Sequence, residues 1–188
     1  AHQSTIGEIV DRIGAPVAWE KAGTGEGVIV LVVDSGVDRS IIPANKMAGG
    51  WTDDPDGDPW RDDFGHGSMV AQILMAVAPG ASIFSVKPKG GPNGGVMEES
   101  VMSAVDALIP IVAKNPGIRL IMNNSWGTEG CTTQSYWCNM IPARLVRELD
   151  ARNISAVVFA AGNANVDCEG RPSILCINSN EGGISVAA

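Results

Sequence analysis

Two residues of this chain, Asp34 and His66, have side chains that could move a proton together. A histidine takes up or releases a proton near neutral pH, and a neighbouring carboxylate can fix which ring nitrogen carries it. His66 is one of two histidines, and the other, His2, stands at the start of the sequence. The pair indicates general base chemistry if the fold brings the two side chains together. The alternative role for Asp34 is structural, as the cap of a following helix.

The segment before Asp34 predicts a strand at the centre of a sheet. Six consecutive apolar residues, most of them β-branched, run from Val28 to Val33. Such a run is typical of a strand that is buried on both faces. Asp34 would then stand at the carboxyl end of that strand, which is where open α/β sheets place their chemistry.

The segment around His66 predicts the start of a buried helix. Small and apolar residues follow it at helical spacing from Gly67 to Ala78. We expect the two flanking glycines, Gly65 and Gly67, to let another backbone come close. His66 follows Asp34 by about the length of one crossover connection. An isolated histidine more often has a structural role, but a strand-end carboxylate together with a helix-start imidazole shifts the balance toward catalysis.

Strand and helix signals alternate along the rest of the chain. An arm over residues 1–27 carries short helical patterns, and residues 45–64 read as a polar loop. Further strands are predicted at 81–86, 118–122, 155–161 and 183–188, with a helix over 97–115 that Pro110 would kink or shorten. This order predicts an α/β fold with parallel strands and right-handed crossovers, in a single domain over residues 1–188.

An acidic loop between residues 53 and 63 is a candidate calcium site. It holds six aspartates, whose charges repel one another unless a cation relieves them. The ion would have a structural role. A solvated surface loop is the other interpretation, and the sequence leaves both open. The candidate ligands are Asp54, Asp56, Asp58 and Asp62.

The four cysteines fall into two close pairs, Cys131 with Cys138 and Cys168 with Cys176. Their spacing is too wide for a C-x-x-C redox or zinc motif. Two local disulfides are favoured over four free thiols, which predicts a secreted or otherwise extracytoplasmic protein. Pairing between the two segments stays open.

Charge and hydropathy argue against two classes of partner. The net charge is −8 and basic residues form no cluster, so nucleic acid is not expected as a partner. No apolar run approaches the roughly 20 residues needed to cross a bilayer, so no membrane partner is expected either. The sequence also begins without a charged and then apolar leader, and we expect any export signal or pro-segment to have been removed.

Four motifs, taken in order, resemble those of the subtilisin-like serine proteases, the subtilases. Asp34-Ser35-Gly36 resembles the aspartate motif of the family, and His66-Gly67-Ser68 with Val70-Ala71 resembles its histidine motif. Asn124-Ser125-Trp126-Gly127 resembles the segment that pairs with substrate. Ala160-Ala161-Gly162-Asn163 resembles the oxyanion-hole motif. The similarity covers nearly the whole chain.

This resemblance implies a three-layer subtilisin-like fold, with a mainly parallel sheet between helices, of which the chain would hold the N-terminal two-thirds. It implies hydrolysis of peptide or protein substrates by an Asp-His-Ser triad, with Asp34 as the orienting carboxylate and His66 as the base. Asn163 would donate to the oxyanion, and the Ser125-Trp126-Gly127 segment would hold an extended peptide. The N-terminal arm resembles a mature subtilase that has lost its propeptide, which implies a zymogen.

Three features depart from the family pattern. The nucleophile motif Gly-Thr-Ser-x-Ala is absent from the 188 residues. The connection from Ala71 to Pro79 is too short for the calcium loop that many subtilases carry there, and Trp126 would narrow the adjoining pocket. The missing serine favours a divided or nicked protease whose C-terminal segment is a second chain. The alternative is a serine-less pseudoenzyme or peptide-binding module.

Overall fold

Strand and helix alternate through the described residues, which are 5–89, 98–126, 154–160 and 183–186 of a computed structural model. The strands are β1 (Val28–Val33), β2 (Met47–Trp51), β3 (Ser82–Val86), β4 (Arg119–Asn124), β5 (Ile154–Ala160) and β6 (Ile184–Val186). The α-helices are α1 (Ile6–Arg12), α2 (Ala15–Ala22), α3 (His66–Val77) and α4 (Glu98–Ala113).

The six described strands form one parallel sheet in the order β2-β3-β1-β4-β5-β6. Val33, the last residue of β1, pairs with Val86 of β3 on one side and with Asn124 of β4 on the other. Asn124 pairs in turn with Phe159 of β5. The carboxyl ends of these four strands are therefore level, and the residues that follow them meet at one edge of the sheet.

The core lies on both faces of β1, as its sequence predicts. Because side chains alternate along a strand, the odd-numbered residues of β1 face one apolar cluster and the even-numbered residues face another. Helix α4 covers the first cluster and α3 covers the second, which gives three layers. The first cluster includes Ile29, Leu31, Val33, Val101 and Leu108, and the second includes Val30, Val32, Ala71 and Leu74. The predicted α/β class is confirmed.

The N-terminal arm packs against α3. Helix α1 begins with a capping box, in which Thr5 N–H donates to Glu8 Oε2 at 2.7 Å and Glu8 N–H donates to Thr5 Oγ1 at 3.3 Å. Helix α2 is fixed by the indole of Trp19, whose Nε1–H donates to the carbonyl oxygen of Val77 at 2.8 Å. This hydrogen bond fixes the carboxyl end of α3, while its amino end lies at the carboxyl edge of the sheet.

Strand β2 is where the sequence interpretation was wrong. Residues 47–51 were expected inside a polar loop, but they pair with β3 as an edge strand. The segment contains Gly49 and Gly50, which weaken any local strand signal, and its register shifts between Met47 and Gly49. Gly49 has a φ of +124° and lies against the ring of Phe84. The pairing therefore depends on a neighbour that the local pattern does not reveal.

Helix α4 continues through Pro110, which was expected to kink or shorten it. A proline removes one intrahelical hydrogen bond. Here the buried stripe of Val101, Val105 and Leu108 holds the helix on the sheet, while Ile109, expected on the same stripe, is 37% exposed. No helix in the described ranges is long and apolar enough to cross a membrane.

Candidate active site

Asp34 extends the line of β1 beyond its last residue. Its N–H donates to the carbonyl oxygen of Val86 at 3.0 Å, so the backbone follows β3 for one more step. The side chain is only 5% exposed. Its Oδ1 accepts from the N–H of Ser35 at 2.8 Å. A carboxylate that is buried at a strand end needs a further charged or polar partner.

That partner is His66. Its Nδ1 lies 2.9 Å from Oδ1 and 3.0 Å from Oδ2 of Asp34. The imidazole is 37% exposed, in contrast to the buried carboxylate. With its Nδ1–H donated to Asp34, His66 keeps its lone pair on Nε2, where it can accept a proton from another group. The structure therefore brings the two residues into contact. The helix-capping role suggested for Asp34 is wrong, because Asp38 caps the 3-10 helix that follows, Arg39–Ile41.

Gly67 lets the first turn of α3 touch the turn after β1. A Cβ at this position would lie 2.1 Å from the carbonyl oxygen of Gly36 and 3.0 Å from Cβ of Asp34. The expected close approach is confirmed here. At Gly65 the reason is different: a Cβ there would meet nothing within 4 Å, but the residue has a φ of +90°. Gly65 is needed for its backbone conformation, which other residues rarely adopt.

Asp62 accepts hydrogen bonds on both of its oxygens, although the sequence suggested it as a calcium ligand. Its Oδ1 accepts from Ser35 Oγ at 2.8 Å and from the N–H groups of Phe64 and Gly65 at 3.0 and 2.8 Å. Its Oδ2 accepts from the N–H and Oγ of Ser68 at 2.8 and 2.6 Å. Partial burial raises the pKa of Asp62, but these hydrogen bonds outweigh it and hold the pKa well below its usual range.

Two other aspartates of the suggested calcium set, Asp54 and Asp58, have protein partners. Asp58 accepts from the N–H of Trp60 at 2.9 Å and pairs with Arg39. Asp54 Oδ1 accepts from the N–H of Asp56 at 3.3 Å. Within the described ranges, no group of three or more His, Cys, Asp or Glu side chains is arranged to hold a metal ion. Calcium binding by this loop therefore stays a prediction.

The end of β4 lies beside the Asp34 turn. Since Val33 pairs with Asn124, Ser125 follows β4 at the level where Asp34 follows β1. Asn124 is 1% exposed. Its Nδ2 donates to the carbonyl oxygen of Val158 at 3.3 Å, and its Oδ1 accepts from Nε1–H of Trp126 at 3.1 Å. The indole of Trp126 is therefore tied back to the sheet and packs on the core cluster of α4.

Asn124 was not expected to have this fixing role. The sequence signal was present, because a fully buried amide at the end of an apolar strand needs partners. Gly127, Asn163 and the four cysteines lie outside the described residues. Strand β5 ends at Ala160, one residue beyond the partner of Asn124, so the chain leaves this strand at the same edge of the sheet.

Comparison with known proteins identifies the architecture. Residues 25–187 match the subtilase family over most of the chain. The chain belongs to the subtilase family.

Two curated relatives and one solved structure show how the chain is related to the family. It is 35% identical over 128 residues to the major intracellular serine protease of Bacillus subtilis (strain 168), a match that covers 58% of this chain and 40% of that protein. It is 26% identical over 204 residues to bacillopeptidase F of the same strain, covering 91% and 13%. The structure of sphericase matches with a TM-score of 0.60 at 18% identity, covering 93% of this chain and 59% of that one. The subtilase chain thus spans less than two thirds of each.

Proposed function

We propose that this subtilase is a serine endopeptidase in which His66 is the general base and Asp34 orients it. The observation that supports the proposal is the contact of His66 Nδ1 with both oxygens of Asp34, at 2.9 and 3.0 Å. The carboxylate is buried and the imidazole is accessible, which is the arrangement that general base catalysis requires. The relative that is named as a serine protease supports the same reaction class.

In this mechanism a serine hydroxyl transfers its proton to Nε2 of His66 as its oxygen bonds to the scissile carbonyl carbon. Asp34 stabilises the imidazolium that forms. The imidazolium then gives the proton to the leaving amine, and the peptide C–N bond breaks. Water repeats the two proton transfers on the acyl-enzyme and restores the serine hydroxyl.

Two further segments complete the proposed site. The Ser125-Trp126-Gly127 segment would hold an extended peptide or protein substrate by main-chain hydrogen bonds, as an added strand. Its position beside the Asp34 turn supports this role. Asn163 would donate from its side-chain amide to the developing oxyanion, a contact typically worth about 3–4 kcal/mol in the transition state. The chain reaches the same sheet edge at the end of β5, which is consistent with such a role.

We propose that the nucleophilic serine comes from a C-terminal segment of the same protease, as a separate or cleaved chain. The Gly-Thr-Ser-x-Ala motif of the family does not occur among the 188 residues. We also propose that the protease is made with a propeptide, which is removed on maturation. Two disulfides would form in an extracytoplasmic compartment from Cys131, Cys138, Cys168 and Cys176. One relative is named as intracellular, so the location needs its own measurement.

The absent motif also favours a second candidate function, a serine-less module that binds peptides without cleaving them. Peptide hydrolysis by the whole purified protein, with all its chains, separates the two. We expect His66→Ala to abolish turnover and His2→Ala, at the other histidine of the 188 residues, to leave it unchanged. Equal turnover in both variants would overturn the role of His66. Absence of hydrolysis by the wild type, together with retained peptide binding, would favour the binding module.

A further inference from the structure

We propose that Asp62 is a positioning residue for the Asp34–His66 pair, holding the turn after β1 and the first turn of α3 in one geometry. The inference rests on the proposed function of His66 as the base. The two catalytic groups stand on different elements, since Asp34 follows β1 and His66 begins α3. Something must fix those elements relative to each other, because an error of about 1 Å in such a pair is costly to catalysis.

The first half of the connection runs through Ser35, the neighbour of Asp34. The hydroxyl of Ser35 lies 2.8 Å from Oδ1 of Asp62 and 3.3 Å from Oδ1 of Asp34, so the shorter hydrogen bond goes to Asp62. The same Oγ accepts from the N–H of Gly67 at 3.1 Å. Gly67 is the neighbour of His66 in α3. Ser35 and Asp62 thus join the residue after the acid to the residue after the base.

The second half of the connection runs through Ser68. Both its N–H and its hydroxyl donate to Oδ2 of Asp62, at 2.8 and 2.6 Å. Its Oγ accepts in turn from the N–H of Asp38, at 2.9 Å, in the segment that follows the Asp34 turn. Helix α3 therefore contacts the β1 connection at Gly67 and again at Ser68. Asp62 accepts from Ser35 at the first contact and from Ser68 at the second.

Asp62 also replaces a missing helix cap. The N-cap residue of α3 is Gly65, which has no side chain with which to satisfy the first N–H groups of the helix. Asp62 accepts from the N–H groups of Gly65 and Ser68 instead. Its negative charge at the amino end of the helix adds a favourable interaction with the helix dipole. The cap and the link to Ser35 are made by one carboxylate.

The site requires a carboxylate because all five groups that face it are donors. An asparagine would turn an NH₂ group toward one set of them and leave a backbone N–H without its acceptor.

The next residue, Asp63, makes a different kind of contact. Its oxygens pair with Lys87 Nζ at 2.7 Å and Arg61 Nε at 2.8 Å, and its side chain is 55% exposed. Asp63 therefore provides a matched control with the same charge at the adjacent position.

The test compares Asp62→Asn with Asp63→Asn in the whole protease. We expect Asp62→Asn to lower kcat by about 10- to 100-fold with little change in KM, because the base is displaced and the substrate strand is not. Asp63→Asn should stay within about twofold of the wild type. Ser35→Ala should lower kcat in the same direction, and its effect should not add to that of Asp62→Asn, since the two residues act through one connection.

A spectroscopic readout separates positioning from simple stabilisation. An imidazole N–H that donates to a carboxylate gives a strongly downfield proton signal, and a chain with two histidines makes its assignment direct by His66→Ala. We expect Asp62→Asn to shift or broaden the His66 signal and Asp63→Asn to preserve it. This comparison holds even if no hydrolysis is found, so failure of the proposed function does not hide it.

The opposite results would overturn the inference. Asp62→Asn could lower the melting temperature and yet match Asp63→Asn in kcat and in the His66 signal. In that case Asp62 only stabilises the helix as a cap and does not position the base. If Asp62→Asn does not fold, Ser68→Ala takes its place, because it removes one of the five donors and leaves the carboxylate. An unchanged His66 signal and kcat in Ser68→Ala would then contradict the positioning role.

Discussion

Replacing Gly67 by alanine would move the proposed base, His66, without changing its side chain. The added Cβ would lie 2.1 Å from the carbonyl oxygen of Gly36. Non-bonded carbon and oxygen atoms stay at least about 3 Å apart, so the first turn of α3 must retreat by about 1 Å. The contacts of His66 with Asp34, now 2.9 and 3.0 Å, would then exceed hydrogen-bond range. A displacement of this size predicts a fall in kcat of about 100-fold.

The assay is steady-state hydrolysis of a fluorogenic peptide by the whole protease, with a thermal melt of each variant. Two control variants separate the clash from other effects. Gly7→Ala adds a Cβ that meets no atom within 4 Å, and Gly65→Ala adds backbone strain beside His66 without a clash. Overpacking at Gly67 should also cost about 1–3 kcal/mol of stability. Full kcat in a folded Gly67→Ala variant would refute the claim that the spacing of these two turns sets the activity.

Three other predictions concern acid stability, the oxyanion and calcium. The lowered pKa of Asp62 means that its ionised form adds stability above the unfolded value of about 3.9, and this stability is lost as the pH falls below that value. Asp62→Asn should therefore weaken the dependence of the free energy of unfolding on pH in the acid range, as measured by urea titrations at several pH values. An unchanged dependence would contradict the role of the lowered Asp62 pKa. Asn163→Leu should cut turnover by about 100- to 1,000-fold while binding of an uncleavable peptide hardly changes; parallel losses would point to a ground-state contact. If the 53–63 loop binds calcium, the melting temperature should rise with calcium and fall with chelator; a constant melting temperature would leave these carboxylates with their protein partners.

The sequence predicted the centre of the fold because the relevant signals are local. β1 is apolar along its whole length, as is typical of a strand that is buried on both faces, and its last residue leads directly to Asp34. The proximity of His66 could be expected because helices of such a fold begin at the carboxyl edge of the parallel sheet, where Asp34 also lies. The fully buried Leu31 and Val33 confirm that β1 is the central strand.

The features that could not be predicted depend on contacts from distant parts of the chain. β2 contains two adjacent glycines and becomes a strand only because β3 offers an open edge. Asp62 was predicted as a calcium ligand because the sequence shows a cluster of negative charges. It does not show which groups donate hydrogen bonds to those carboxylates. The hydroxyl of Ser35 comes from a residue 27 positions away. The local sequence pattern identified the Asp62 carboxylate, but only the folded structure identified its hydrogen-bond donors.

The central claim, that Asp34 and His66 activate a serine, is tested most directly by covalent labelling. The whole protease is treated with a fluorophosphonate probe, which reacts with activated serine hydroxyls, and the labelled residue is located by peptide mass spectrometry. We predict one labelled serine outside the 188 residues, with labelling abolished in His66→Ala and retained in His2→Ala. Absence of a label in the wild-type protein, or labelling that does not depend on His66, would contradict the claim.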